Sequence, residues 1–230
     1  MNETLQKIKT RGYWEVLIRP GEFLENRIEP IGKCNEVVRD LAVQWRGWPY
    51  PCYEIKTRPT TAKDYIEQAV DSGFHIEFWR YYQSGQFAHF LSMREDWFAE
   101  EKVMSLPPIP PGQVLWISIA VWHFTEVYEF ASRLASKGLL GDTCKLSVVL
   151  HGTKGRTLTY PQEARLLYET YTCSTDPVPH EITIPTTDLM TRSSELALEA
   201  AVWTFQRFNW HRITTKGLKQ VQDELLARGR

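Results

Sequence analysis

The stretch that decides the fold runs from Tyr65 to Met93. It reads Tyr65-Ile66-Glu67-Gln68-Ala69-Val70, then Asp71-Ser72-Gly73, then Phe74-His75-Ile76-Glu77-Phe78-Trp79-Arg80-Tyr81-Tyr82, then Gln83-Ser84-Gly85, then Gln86-Phe87-Ala88-His89-Phe90-Leu91-Ser92-Met93. Three runs rich in aromatic and aliphatic residues are separated by short connections that each carry a glycine. Such connections supply the positive φ that tight hairpins demand, so the spacing predicts an antiparallel meander over about 65–94. Side chains alternate across a strand. Phe74, Ile76, Phe78, Arg80 and Tyr82 therefore share one face, which reads as buried. His75, Glu77, Trp79 and Tyr81 share the other, which reads as mixed aromatic and polar.

Working toward the amino terminus, Val43-Gln44-Trp45-Arg46-Gly47-Trp48-Pro49-Tyr50-Pro51 is an extended aromatic segment. Lys33–Ala42 carries Val37, Val38 and Leu41 at helical spacing. Tyr13–Arg19 reads as a strand closed by Pro20-Gly21.

Toward the carboxyl terminus, Val114–Phe124 is rich in β-formers and predicts a strand, with Thr125 as the N-cap of a helix that stops at Gly138. Strands are expected at Lys145–His151, Arg156–Tyr160, Leu167–Cys173 and Glu181–Ile184. Two helices close the chain, one from Thr187 or Asp188 through about Phe208, the other from Thr215. Strands clustered apart from helices, without regular strand–helix alternation, predict the α+β class, with a second sheet over about 114–184 and C-terminal helices.

Leu106-Pro107-Pro108-Ile109-Pro110-Pro111-Gly112 breaks the chain near its middle, since four prolines in five positions fit neither a helix nor a central strand. Residues 1–105 are thus expected as one α+β lobe, 106–112 as a stiff linker and 113–230 as a second α+β lobe.

Composition narrows the function classes. The 230 residues carry 27 Lys and Arg against 28 Asp and Glu, a net charge of −1. That charge gives no bulk pull on polyanions and lacks the footprint of a dedicated nucleic-acid binder. No apolar run reaches the roughly 18 residues of a membrane span, so no membrane partner is expected. The amino terminus does not read as a secretory signal. Cys34, Cys52, Cys144 and Cys173 form no C-x-x-C pair, and the expectation is reduced cysteines in a cytoplasmic protein.

Five constellations merit chemistry. In the first, Trp45, Arg46, Trp48 and Tyr50 combine aromatic faces with a guanidinium, a pattern that grips a peptide or stacks bases; equally, the rings can anchor a helix–sheet junction. In the second, Trp79, Tyr81 and Arg94 belong to a meander face of the type some single-strand RNA readers use, although the specific octapeptide of those readers is absent and Glu77 repels phosphate.

In the third, Glu54-Ile55-Lys56 is half of a metal-dependent nuclease core, the acid holding an ion and the lysine orienting water; such a tripeptide is also common on any solvated strand. In the fourth, His123 and Glu126 lack the second histidine of a zinc-protease helix, and His75 with Glu77 on one strand face is a two-ligand set that needs partners from elsewhere. In the fifth, Gly152-Thr153-Lys154-Gly155-Arg156-Thr157 reads as a basic hairpin tip. No nucleophile motif is present.

The leading expectation is a non-enzymatic interaction protein. It binds a protein partner, or a second copy of itself, through Trp45, Arg46, Trp48, Tyr50, Trp79, Tyr81 and Arg94, residue types enriched at interface hot spots. Neither a cofactor nor a metal is expected. The alternatives are a metal-dependent nuclease or phosphohydrolase using Glu54 and Lys56, and single-stranded nucleic-acid binding by the meander.

Overall fold

The computed structural model describes residues 2–53, 59–98, 109–161 and 167–229. Glu54 and Lys56 lie outside the described residues, as do Leu106, Pro107 and Pro108 of the expected linker.

Strands β1 (Tyr13–Pro20), β2 (Val43–Arg46), β3 (Trp48–Tyr50), β4 (Thr60–Thr61), β5 (Tyr65–Ser72), β6 (His75–Tyr82), β7 (Phe87–Ser92), β8 (Val114–Trp116), β9 (Thr143–His151), β10 (Thr157–Thr159) and β11 (Val178–Pro185) alternate irregularly with helices α1 (Glu3–Ile8), α2 (Gly32–Leu41), α3 (Ile117–Ser136), α4 (Thr186–Gln206) and α5 (Thr215–Leu226). The class is α+β.

The meander forms as its alternation requires, with Tyr65 opposite Tyr82 and Glu77 opposite Leu91. Gly73 and Gly85 hold φ of 75° and 83° in its two turns. At Gly85 a Cβ would also sit 2.8 Å from the Leu139 carbonyl oxygen.

The two expected sheets are one. Seven strands run in the order β11-β9-β1-β7-β6-β5-β4, every pair antiparallel. β1 joins them: Trp14 lies opposite Leu91 of β7 on one side and Leu150 of β9 on the other. Periodicity shows that a segment is a strand but not which strand it pairs with, so a proline run breaks the chain without marking a boundary between sheets. β8 and β10 form a separate parallel pair, and β2 and β3 an antiparallel ribbon with a bulge between Val43 and Arg46.

One face of the sheet carries Trp14, Val16, Ile18, Phe87, Leu91, Leu146, Val148 and Leu150 into a core shared with α2, α3, α4 and α5. His75, Glu77, Trp79 and Tyr81 lie on this helix-covered face and are buried. The other face of the meander is covered locally by α1, where Ile8 packs on Ile76, Phe78 and Trp97. Asn2 caps α1, its side-chain oxygen accepting from the amides of Thr4 at 2.9 Å and Leu5 at 3.3 Å.

The second half departs from expectation at α3. Its first turns, Ile117–Phe124, are helical, and Thr125 is interior, its hydroxyl donating to the Val121 carbonyl. The cause is burial on nearly every side. A helix apolar all round loses the 3.6-residue pattern and its β-branched residues mimic a strand. Residues 167–173 form no strand beyond a single bridge from Thr172 to Thr157. The long helix bends at Arg192, whose backbone is non-helical (φ −131°, ψ 20°).

Candidate functional site

The β2–β3 ribbon lies against both β6–β7 and the amino-terminal half of α3, and beneath it the core turns polar. Arg46, His75, Glu77, His89, His123 and Glu126 are all at most 7% exposed. Three of the six histidines of the chain meet here. Buried ionisable groups are costly unless paired, and they concentrate at functional sites.

One half of the cluster is an ion pair. Arg46 Nε donates to Glu126 Oε1 at 2.8 Å, and Arg46 Nη2 donates to Oε2. Nη2 also lies 3.1 Å from His123 Nδ1. Burial, then the charges of Arg46 and Arg94, hold His123 well below the ordinary imidazole value. It is neutral, so Nδ1 accepts from the guanidinium and Nε2 carries the proton. Arg46 Nη1 makes no hydrogen bond.

The other half centres on Glu77. Its Oε1 accepts from the Cys52 amide, and Trp79 Nε1 donates to the Cys52 carbonyl at 2.7 Å, so β6 clamps the exit of the ribbon. Glu77 Oε2 lies 3.1 Å from His75 Nε2 and 3.4 Å from His89 Nε2. Burial alone would push the Glu77 carboxyl up; His89 and His75 overcome it and hold the group at about 2. His89 Nδ1 is 3.1 Å from the Tyr50 hydroxyl, and burial followed by Glu77 and Glu126 drives the Tyr50 phenol well above its usual value, so it stays protonated. Neither ring nitrogen of His75, nor His89 Nε2, makes a hydrogen bond of acceptable geometry.

On the ribbon a groove of about 490 Å³ is lined by Trp45, Arg46, Gly47, Trp48, Pro49 and Tyr53, with Gln44 and Arg228 at its sides. Trp48 links groove and cluster: its ring lies 5.2 Å from that of His75, and Arg46 and Arg94 sit over it at 5.4 and 4.9 Å. Arg39 lies 5.7 Å from the Tyr53 ring. Among the described residues no carboxylate lines the groove. A larger concavity of about 620 Å³ lies between the bend of α4 and α5, but Arg192 and Lys219 in its wall are already paired with Glu195 and Asp223.

Of the seven residues expected to form a binding surface, Arg46, Tyr50, Trp79 and Tyr81 are interior, because β6 turns its odd-numbered positions toward the helices. Trp45, Trp48 and Arg94 remain half-buried around the ribbon. The expected hairpin tip is not one: Arg156 is 1% exposed and joined to Asp96.

The cluster brings together His75 with Glu77, and His123 with Glu126, the two pairs legible from spacing. Cys52, His89 and the role of Arg46 were not legible, since they arrive from other strands with no local signature. No family model, no curated protein and no solved structure matches the chain.

Proposed function

We propose that the protein is a binding module that recognises an acidic, aromatic-bearing protein segment in the groove of Trp45, Trp48 and Tyr53. The observation that carries this reading is the groove itself. Three aromatic rings are left half-buried around one concavity while Trp79, Tyr81 and Tyr50 are sealed in the core.

Charge selects the partner. Arg228 lines the concavity and Arg39 stands beside Tyr53, while the guanidinium of Arg46 is held inward by Glu126, and the described lining groups include no acid. Rings with guanidinium neighbours are the residue types that dominate interface energetics. The net charge of −1 supplies no long-range attraction for a phosphate chain, which favours a peptide with a few acids over a nucleic acid.

The test is a fluorescence-anisotropy titration of the full chain against labelled peptides carrying acids beside an aromatic residue, with basic peptides and oligouridylate as competing arms. Saturable binding of the acidic peptides, weakened about thirtyfold or more by Trp45→Ala, supports the reading. Binding of oligouridylate alone replaces it with nucleic-acid recognition, and no binding in any arm removes it.

A further inference from the structure

Behind Trp48, three side chains of different donor chemistry converge. Cys52, His75 and Glu77 each place one ligating atom within 4.8 Å of the other two. They come from two separate parts of the chain, the exit of the ribbon and strand β6, so the convergence is a product of the fold and not of local spacing.

The site carries a second, independent mark. His75 is 6% exposed; its Nδ1 has no hydrogen-bond partner, and its Nε2 meets only Glu77 Oε2, 3.1 Å away and off hydrogen-bond geometry. His89 is fully buried and its Nε2 is likewise without one, 3.4 Å from Glu77 Oε2. A buried polar group left without a partner is costly, so imidazole nitrogens short of partners around one carboxylate call for a cation.

We propose that Cys52, His75 and Glu77 bind one divalent transition-metal ion of the zinc class, and that His89, outside this cluster but 3.4 Å from Glu77 Oε2, closes in as fourth ligand when the ion binds. A thiolate, two imidazoles and a carboxylate are a set that zinc accepts in tetrahedral array, whereas magnesium and calcium take oxygen ligands. The outer contacts match those that orient metal ligands. Glu77 Oε1 accepts from the Cys52 amide, which leaves Oε2 for the ion. With the ion on His89 Nε2, Nδ1 holds the ring proton and donates to the Tyr50 hydroxyl oxygen. Binding releases the thiol proton to solvent. This site is independent of the peptide groove and stands or falls without it.

The test uses the full chain, freed of metal with a chelator and titrated with cobalt(II). The expected result is one equivalent bound, with the visible bands of tetrahedral cobalt and a near-ultraviolet thiolate-to-cobalt band, all displaced by zinc. Cys52→Ser abolishes the thiolate band. His75→Asn weakens zinc by more than the roughly 10–100-fold that loss of an outer partner costs, and Tyr50→Phe falls within that range. His211→Asn, on the surface, changes nothing.

Circular dichroism establishes that each variant is folded. Should the core variants not fold, the wild-type spectrum decides alone: less than one equivalent bound, or a spectrum without the thiolate band, overturns the proposal. So does a thiolate band that survives in a folded Cys52→Ser chain.

Discussion

Arg156 and Asp96 form a two-pronged ion pair in which each side chain is 1% exposed. Asp96 Oδ1 also accepts from the Gly112 amide at 2.8 Å, and Oδ2 from the Gly12 amide at 2.9 Å. Arg156 also donates from Nε to the Gly152 carbonyl at 2.6 Å and from Nη1 to the Val114 carbonyl at 2.8 Å. One carboxylate and one guanidinium thus tie the start of β1, the end of the meander and the entry to β8 and β10 at a single point.

Removing one partner strands the other. Asp96→Ala leaves Arg156 buried without its counter-charge and takes the acceptor from two backbone amides, so the loss is about 3–5 kcal/mol. Asp96→Asn keeps the shape but not the charge and falls between the two. Urea midpoints of the three proteins check the order.

Arg46 and Glu126 give a cleaner measure of the same principle. Arg46→Met alone leaves Glu126 buried and unpaired and costs about 3–5 kcal/mol. The double variant Arg46→Met/Glu126→Leu removes both charges and regains most of that loss, so the cycle shows a large non-additive term. Additive single and double effects in urea unfolding would contradict the geometry.

His123 and His180 make stability depend on pH. Burial holds both below the ordinary imidazole value of 6.5. The unfolded chain therefore binds more protons than the folded one between the lowered values and 6.5, and stability is lost as pH falls through that window. For the buried His123 each pKa unit of lowering is worth about 1.4 kcal/mol, and the partly exposed His180 contributes less because solvent screens it. Urea midpoints should drop from about pH 7.5 to about pH 5.5, and His180→Gln, which keeps a partner for the Tyr128 hydroxyl 3.3 Å away, should flatten the slope.

The two tryptophans that sequence alone cannot rank behave differently on truncation. Trp79 is fully buried and hydrogen-bonded to the Cys52 carbonyl, so Trp79→Ala costs about 3–5 kcal/mol. Trp45 is half-buried on the ribbon, and Trp45→Ala costs about 1 kcal/mol. Equal losses in denaturant titration would mean that the groove rings serve the core.

The meander, both C-terminal helices and α2 were legible because period and punctuation agree there. Thr214 caps α5 with its side chain on the Gly217 amide, and α5 begins at the expected Thr215. Two kinds of information were not legible. The joining of both halves through β1 is a matter of which edges meet, and no local pattern encodes it. Both faces of β6 are covered: α1 packs on Ile76 and Phe78, the set expected to be buried, and the larger helical layer covers His75, Glu77 and Trp79. The polar residues were placed inside by their neighbours' packing, against their own hydropathy.

The position of β1 also sets a schedule. It precedes the other strands of the sheet but takes its neighbours from β7 and β9, strands that begin at Phe87 and Thr143. The meander can zip from adjacent segments while β1 stands by with both edges open, and the sheet closes only after most of the chain has been made. Distant pairing of this kind slows folding, so the docking of β1 between β7 and β9 is expected to set the pace of folding.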